Sequence, residues 1–200
     1  MTHEVKPVSR GHRLVLTYNV INTQPALVKL PTASSFSRSD RELAQIFKCW
    51  NENATTPDFL CHFLDHKYTQ DSLRMSRLVG GDQALLHQVI RAADRTDFGL
   101  FLATFEHMLH GGCEDDASAR IYEQYNSHTK LQKMVDLEGN VVTTDVDINE
   151  DQIVQDVNFA REEPDDEEFQ GHTGNAGAEK TLWYRKVVGS VRETHRIDPR

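Results

Sequence analysis

Ten histidines, three cysteines and one glycine-rich run are the residues of this 200-residue chain from which chemistry could be built. His62 and His66 stand four positions apart, the interval at which two imidazoles on one helical turn can hold a metal ion. The segment around them, Phe59-Leu60-Cys61-His62-Phe63-Leu64, reads as a strand instead. On a strand that interval keeps one face but at greater separation, and no third ligand stands near. Glu106-His107, His110 and Cys113 share the same shortage of ligands. Gly171, Gly174 and Gly177 suggest a phosphate loop, but Ala178 and Glu179 intervene before Lys180 and Thr181 where a glycine followed directly by lysine is needed. That run reads as a turn-forming loop. Asp97-Phe98-Gly99 matches a kinase tripeptide without the glycine-rich loop or H-R-D that would precede it. No serine sits in G-x-S-x-G, and Cys49 and Cys61 are not in the basic surroundings that mark a nucleophilic thiol.

The elements that must position these residues can be followed along the chain. His3 to Val8 reads as a short strand, with Pro7 at an edge or a strand end. Ser9-Arg10-Gly11 is a turn. Arg13 to Val20 alternates: Leu14, Leu16, Tyr18 and Val20 form an apolar face, and Arg13, Val15, Thr17 and Asn19 form the other. After a Thr-, Ser- and Pro-rich loop, Ser39 and Glu42 predict a capping box. Leu43, Ile46, Phe47 and Trp50 then follow as one helical stripe. Phe59–Leu64 predicts a buried strand and Asp82–Ala93 a second helix. Phe98–Leu109 is strand or buried helix, with strand favoured at its start. Leu131–Val142 predicts a hairpin turning at Glu138-Gly139-Asn140. Residues 145–168 hold 11 acidic side chains and one base, Arg161, and predict an exposed or flexible segment. Leu182–Val188 predicts a last strand.

Composition bounds the class. Lys and Arg total 22 and Asp and Glu 31, for a formal net charge of -9. An acidic balance argues against a general nucleic-acid binder, so no nucleic-acid partner is expected. No apolar run is long enough to cross a bilayer, and Met1-Thr2-His3-Glu4 carries no basic-then-apolar leader. Three cysteines without a CxxC form neither a disulfide framework nor a zinc ribbon. An intracellular, cytoplasmic protein with no membrane partner is the expectation.

The stretch His3-Glu4-Val5-Lys6-Pro7-Val8-Ser9-Arg10-Gly11-His12-Arg13 resembles the closing half of the iron site in Fe(II)/2-oxoglutarate-dependent dioxygenases of the prolyl-4-hydroxylase type. The likeness extends in order through LDHKYTQDSLRMSRLVGGDQ and TGNAGAEKTLWYRKVV, landmarks of a group of large, mostly fungal members of that superfamily. The resemblance implies that His3 is the distal Fe(II) ligand and that Arg13 anchors the far carboxylate of 2-oxoglutarate. An imidazole is one arm of a 2-His-1-carboxylate triad that leaves positions open for cosubstrate and oxygen. A guanidinium grips a carboxylate in two parallel hydrogen bonds. Thr17 and Asn19, on Arg13's face, either line the same cavity or make structural hydrogen bonds. The implied activity is hydroxylation of a substrate, itself unknown, coupled to decarboxylation of 2-oxoglutarate.

That family also needs an upstream H-x-D or H-x-E, and none of the ten histidines has an acidic residue two positions on. The resemblance therefore implies the carboxy-terminal part of such an enzyme, inactive alone. The competing expectation is a non-catalytic interaction or scaffold protein that keeps a remnant of the fold. The implied fold is α+β. Residues 1–21 would be the closing strands of a double-stranded β-helix (jelly roll), 22–144 an α+β region, 145–170 an acidic flexible segment and 171–200 a C-terminal strand and tail.

Overall fold

A computed structural model describes residues 10–11, 33–52, 57–94, 96–114, 120–173 and 177–193. Its elements are α1 (Ala33–Asn51), β1 (Phe59–Phe63), α2 (Gly80–Ala93), β2 (Phe98–Cys113), β3 (Ile121–Val135), β4 (Val141–Asp147), β5 (Asp166–Gln170) and β6 (Ala178–Glu193). All the strand pairs are antiparallel. They form one six-stranded sheet ordered β1-β6-β2-β3-β4, with β5 also on β6. The α+β class is as expected. The strands expected over 1–21 lie outside the described residues, apart from Arg10 and Gly11, which form an exposed bend.

Strand β2 is the reason Phe98–Leu109 could be read two ways. It pairs with β6 on one edge and β3 on the other and is buried on both faces. Such a strand reads as a continuous apolar run without alternation. It is strand throughout and continues to Cys113. The expected hairpin is present as β3 and β4, turning at residues 136–140. Asp136 accepts hydrogen bonds there from the backbone N–H of Glu138 and from both the backbone and side chain of Asn140. Gly139 supplies the positive φ of 97° that the turn requires. Strand β3 begins at Ile121, well before Leu131, because its outer half is exposed and carries no apolar alternation. The last strand likewise extends beyond Leu182–Val188 at both ends.

Two expectations fail on structure. Helix α1 starts at Ala33, so Ser39 lies inside it and not at its start. No proline stands between Pro31 and Ser39 to delay the start, and Glu42 pairs along the helix with Arg38 at 2.8 Å. The acidic stretch 145–170 is not a bare solvated loop. It completes β4, makes 3-10 turns at Glu150–Gln152 and Phe159–Arg161, and adds β5 to the sheet. Its few apolar residues are spaced to reach the sheet. Ile148 is buried, and Ile153, Val157 and Phe159 pack on the same cluster. Phe159 lies 4.3 Å, ring to ring, from His107 and 5.8 Å from Phe105. One sheet thus takes strands from Phe59 to Glu193.

The sheet separates two cores. On one face Cys61, Phe63, Phe101, Phe105 and Val188 meet the 148–159 segment. On the other, Leu100, Leu102 and Val187 meet Leu86 of α2 and Leu73 and Leu78 of the β1–α2 connection. Helix α1 is pinned beside them by Phe47 and Trp50, whose rings lie 5.0 and 4.8 Å from that of Phe98. Each such buried side chain contributes about 1.5–3 kcal/mol of transfer free energy. Gly189 of β6 admits Leu86 closely; a Cβ there would stand 2.7 Å from a Leu86 methyl.

The start of α2 is tied to the chain leaving β1 by one carboxylate. Asp82, 2% exposed, accepts from the N–H of Asp65 at 2.8 Å and of His66 at 3.1 Å. It also accepts from His66 Nδ1 and from the Tyr68 hydroxyl, each at 2.8 Å. Tyr68 in turn accepts the N–H of Val79. Burial alone would raise the Asp82 carboxyl, but these donors outweigh it and hold the group below its ordinary value. Asp82→Ala strands four donors and should cost roughly 2–5 kcal/mol, read as a lower urea midpoint with little change in slope. Because the folded-state value is depressed, this contribution is complete above the unfolded carboxyl range near pH 4 and is lost as pH falls through the folded value. The acid limb of the stability profile should flatten in Asp82→Asn.

Candidate functional site

His3, Arg13, Thr17 and Asn19, the residues singled out by the resemblance, lie outside the described residues. Among the described residues no three His, Cys, Asp or Glu side chains are gathered to hold a metal ion. His62 and His66 take unrelated partners. His66 is held by Asp82, whereas His62 stays on β1 beside Gln155. Cys61 is fully buried next to Ser190, and burial pushes its thiol up to about 12. A nucleophile needs the opposite environment. His107, half-buried between Thr129 and Phe159, has its pKa lowered by burial, so its ring is neutral at pH 7.

An apolar groove of about 510 Å³ lies between α1, α2 and the β1 side of the sheet. Leu43, Ile46 and Trp50 of α1, Leu85 and Val89 of α2, and Leu60 of β1 form most of its wall. The α1 stripe explains why it exists. Phe47 and Trp50 are buried as the spacing predicts, yet Ile46 on the same stripe is 58% exposed. The helix is anchored by Phe47 and Trp50 on Phe98, in a cluster that also holds Ala44 and Ala92 and Ala93 of α2, and Ile46 is left uncovered beside it. The polar lining consists of Ser39, Glu42, His62 and Gln88.

His62 is held in one arrangement. The Gln155 side chain pairs with the backbone of Phe63 as a neighbouring strand would, its Oε1 accepting the N–H and its Nε2 donating to the C=O, both at 3.0 Å. Those two bonds fix which end of the amide is nitrogen. The same Nε2 lies 3.0 Å from His62 Nδ1, which must accept. The neutral ring therefore carries its proton on Nε2. No sequence motif marks Gln155, 92 residues from Phe63; only the folded 153–155 segment, bridged to Cys61, brings it there.

A second, polar cleft lies where β1 and β5 meet end to end on β6. The Asp165 carboxylate fills the break in pairing. It accepts the N–H of Arg185 at 2.7 Å and Lys67 Nζ at 2.9 Å. Burial pushes Asp165 up, but these two donors outweigh it and hold the carboxyl below its usual value. Arg185 Nε also pairs with buried Glu106 at 3.1 Å, and Lys186 with Glu162. The cations of this cleft are matched by carboxylates, which makes it a device of the fold.

None of the three cysteines is in a disulfide; Cys49 is exposed and Cys61 and Cys113 are buried. A thiol-exchange reagent at pH 8 should therefore titrate one thiol rapidly, and that phase should vanish in Cys49→Ser. The other two should react only on the timescale of unfolding. A second fast thiol in the native protein would contradict the packing of β1 and β2.

Compared with known proteins, the chain matches no family model, no curated protein and no solved structure.

Proposed function

We propose that the chain is part of an Fe(II)/2-oxoglutarate dioxygenase-like protein, with His3 as the distal iron ligand and Arg13 as the anchor for 2-oxoglutarate. In this reading residues 1–21 close a double-stranded β-helix, and the described sheet and helices are an α+β module attached to it. The observation that carries it is the ten-residue interval from His3 to Arg13, through a turn and into an alternating strand, with the two later landmarks in order. When bound, the iron supplies oxygen activation coupled to 2-oxoglutarate decarboxylation. Arg13 holds the cosubstrate's distal carboxylate, for which its planar fork is suited. Two buried cysteines and the lack of any disulfide support a reducing, intracellular setting. No helix among the described residues is long and apolar enough to cross a membrane.

The second reading is a non-catalytic interaction protein. It is favoured by the absence of H-x-D or H-x-E at all ten histidines. Anaerobic calorimetry with Fe(II) and 2-oxoglutarate separates the two. The dioxygenase-like reading expects weak iron binding by this chain, lost in His3→Ala. In a longer chain that supplies an upstream H-x-D, Arg13→Ala should weaken 2-oxoglutarate binding by roughly 2–5 kcal/mol and leave iron affinity nearly unchanged. Tight one-to-one iron binding that survives His3→Ala would overturn the ligand assignment. Binding of neither compound selects the interaction reading.

A further inference from the structure

We propose that the groove between α1, α2 and β1 is a binding site for a small neutral molecule with an apolar chain and one carbonyl group, an acyl ester or a long-chain ketone. Its described walls include neither His3 nor Arg13.

Four observations converge on that ligand class. The volume, about 510 Å³, falls within the range of roughly 300–1,000 Å³ typical of small-molecule sites. The walls are apolar side chains from both helices and the sheet, so the body of the ligand must be apolar. Ile46 and Val154, contributed by α1 and by the 153–155 segment, both line the groove at 58% exposure, leaving apolar surface open to a ligand. Within this lining His62 presents a defined donor. With Nδ1 committed to Gln155, the neutral ring of this lining residue has its N–H at Nε2, a group that can donate to an acceptor on a ligand.

Charge decides the kind of acceptor. Among the described residues no lysine or arginine lines the groove, and the one formally charged lining group is the Glu42 carboxylate. Glu42 is paired with Arg38 at 2.8 Å, and both side chains are exposed. A free fatty acid would bring a second carboxylate toward Glu42 with no cation among the described lining residues to receive it. An ammonium head would suit Glu42 but would set N–H against the N–H of His62. A neutral carbonyl meets the donor without either conflict.

Tryptophan emission reads this directly, because Trp50 lies in the groove wall and Trp183 is the one other tryptophan of the chain. In a Trp183→Phe background, methyl decanoate added below its aggregation concentration should shift Trp50 emission saturably at one site. Decanoate and decylamine should bind at least fivefold more weakly. Ile46→Glu and Val154→Glu, each at an exposed position, should keep the melting temperature and lose at least tenfold in ester affinity. His62→Phe should weaken the ester several-fold and leave decane unaffected. The proposal is overturned if the ester gives no saturable shift, if either charged probe binds as tightly as the ester, or if both glutamate variants bind like the parent.

Discussion

Strand β6 has to satisfy backbone donors and acceptors on both of its edges, and the rest of the molecule is arranged around how it does so. Strand β2 covers one edge along its whole length, from Phe98 opposite Glu193 to Cys113 opposite Ala178. The other edge is shared by two short strands, β1 at one end and β5 at the other. Neither could pair with all of β6, and the backbone between them would be left open. Asp165 closes that opening by accepting the Arg185 N–H with a side chain where a strand would have used a carbonyl. Backbone N–H groups are rarely left without an acceptor, and here a carboxylate supplies one.

The same economy of short pieces covers the two faces. One face is covered by a segment with very few apolar residues, of which Ile148, Ile153, Val157 and Phe159 reach the sheet while most of the intervening acids stay in water. The other face is covered by α2 and by the β1–α2 connection, which the Asp82 carboxylate holds to the helix start. Helix α1 joins the sheet through a cluster centred on the Phe98 ring, with Leu60 and Val191 packed against it. A cover laid down in three separate pieces leaves a seam, and the groove is that seam.

What could be read from the sequence follows from this arrangement. Elements with one buried face announce themselves by period, as α2 does with Leu85, Val89 and Ala93. Elements with a turn of defined chemistry do so by composition, as the β3–β4 hairpin does with Glu138-Gly139-Asn140. The outer half of β3 announced nothing, because Tyr122 to His128 are exposed and their pattern answers to no core. The start of α1 was misplaced because a capping signature at Ser39 and Glu42 is equally compatible with the interior of a longer helix. The stripe Leu43-Ile46-Phe47-Trp50 was legible as a stripe but not as a groove wall. Periodicity reports which side chains share a face and is silent on whether anything arrives to cover them. Gln155 was illegible for a different reason: its role is to mimic a strand across 92 residues of chain, and nothing local records that.

The position of β6 in the chain also has a consequence for synthesis. Phe59 pairs with Arg192, 133 residues on, so β1 emerges long before the strand that will hold it. Strands β2 and β3 can pair at once, but β2 then shows a sixteen-residue apolar edge until β6 is made. Such an edge is a template for pairing with another chain. A nascent chain stalled before residue 178 therefore holds an unfinished sheet at its most adhesive, with the acidic run at 145–168 already made beside it in the chain. Its eleven negative charges, read in the folded molecule as solvated surface, would then act during translation as a repulsive collar that keeps neighbouring nascent chains apart.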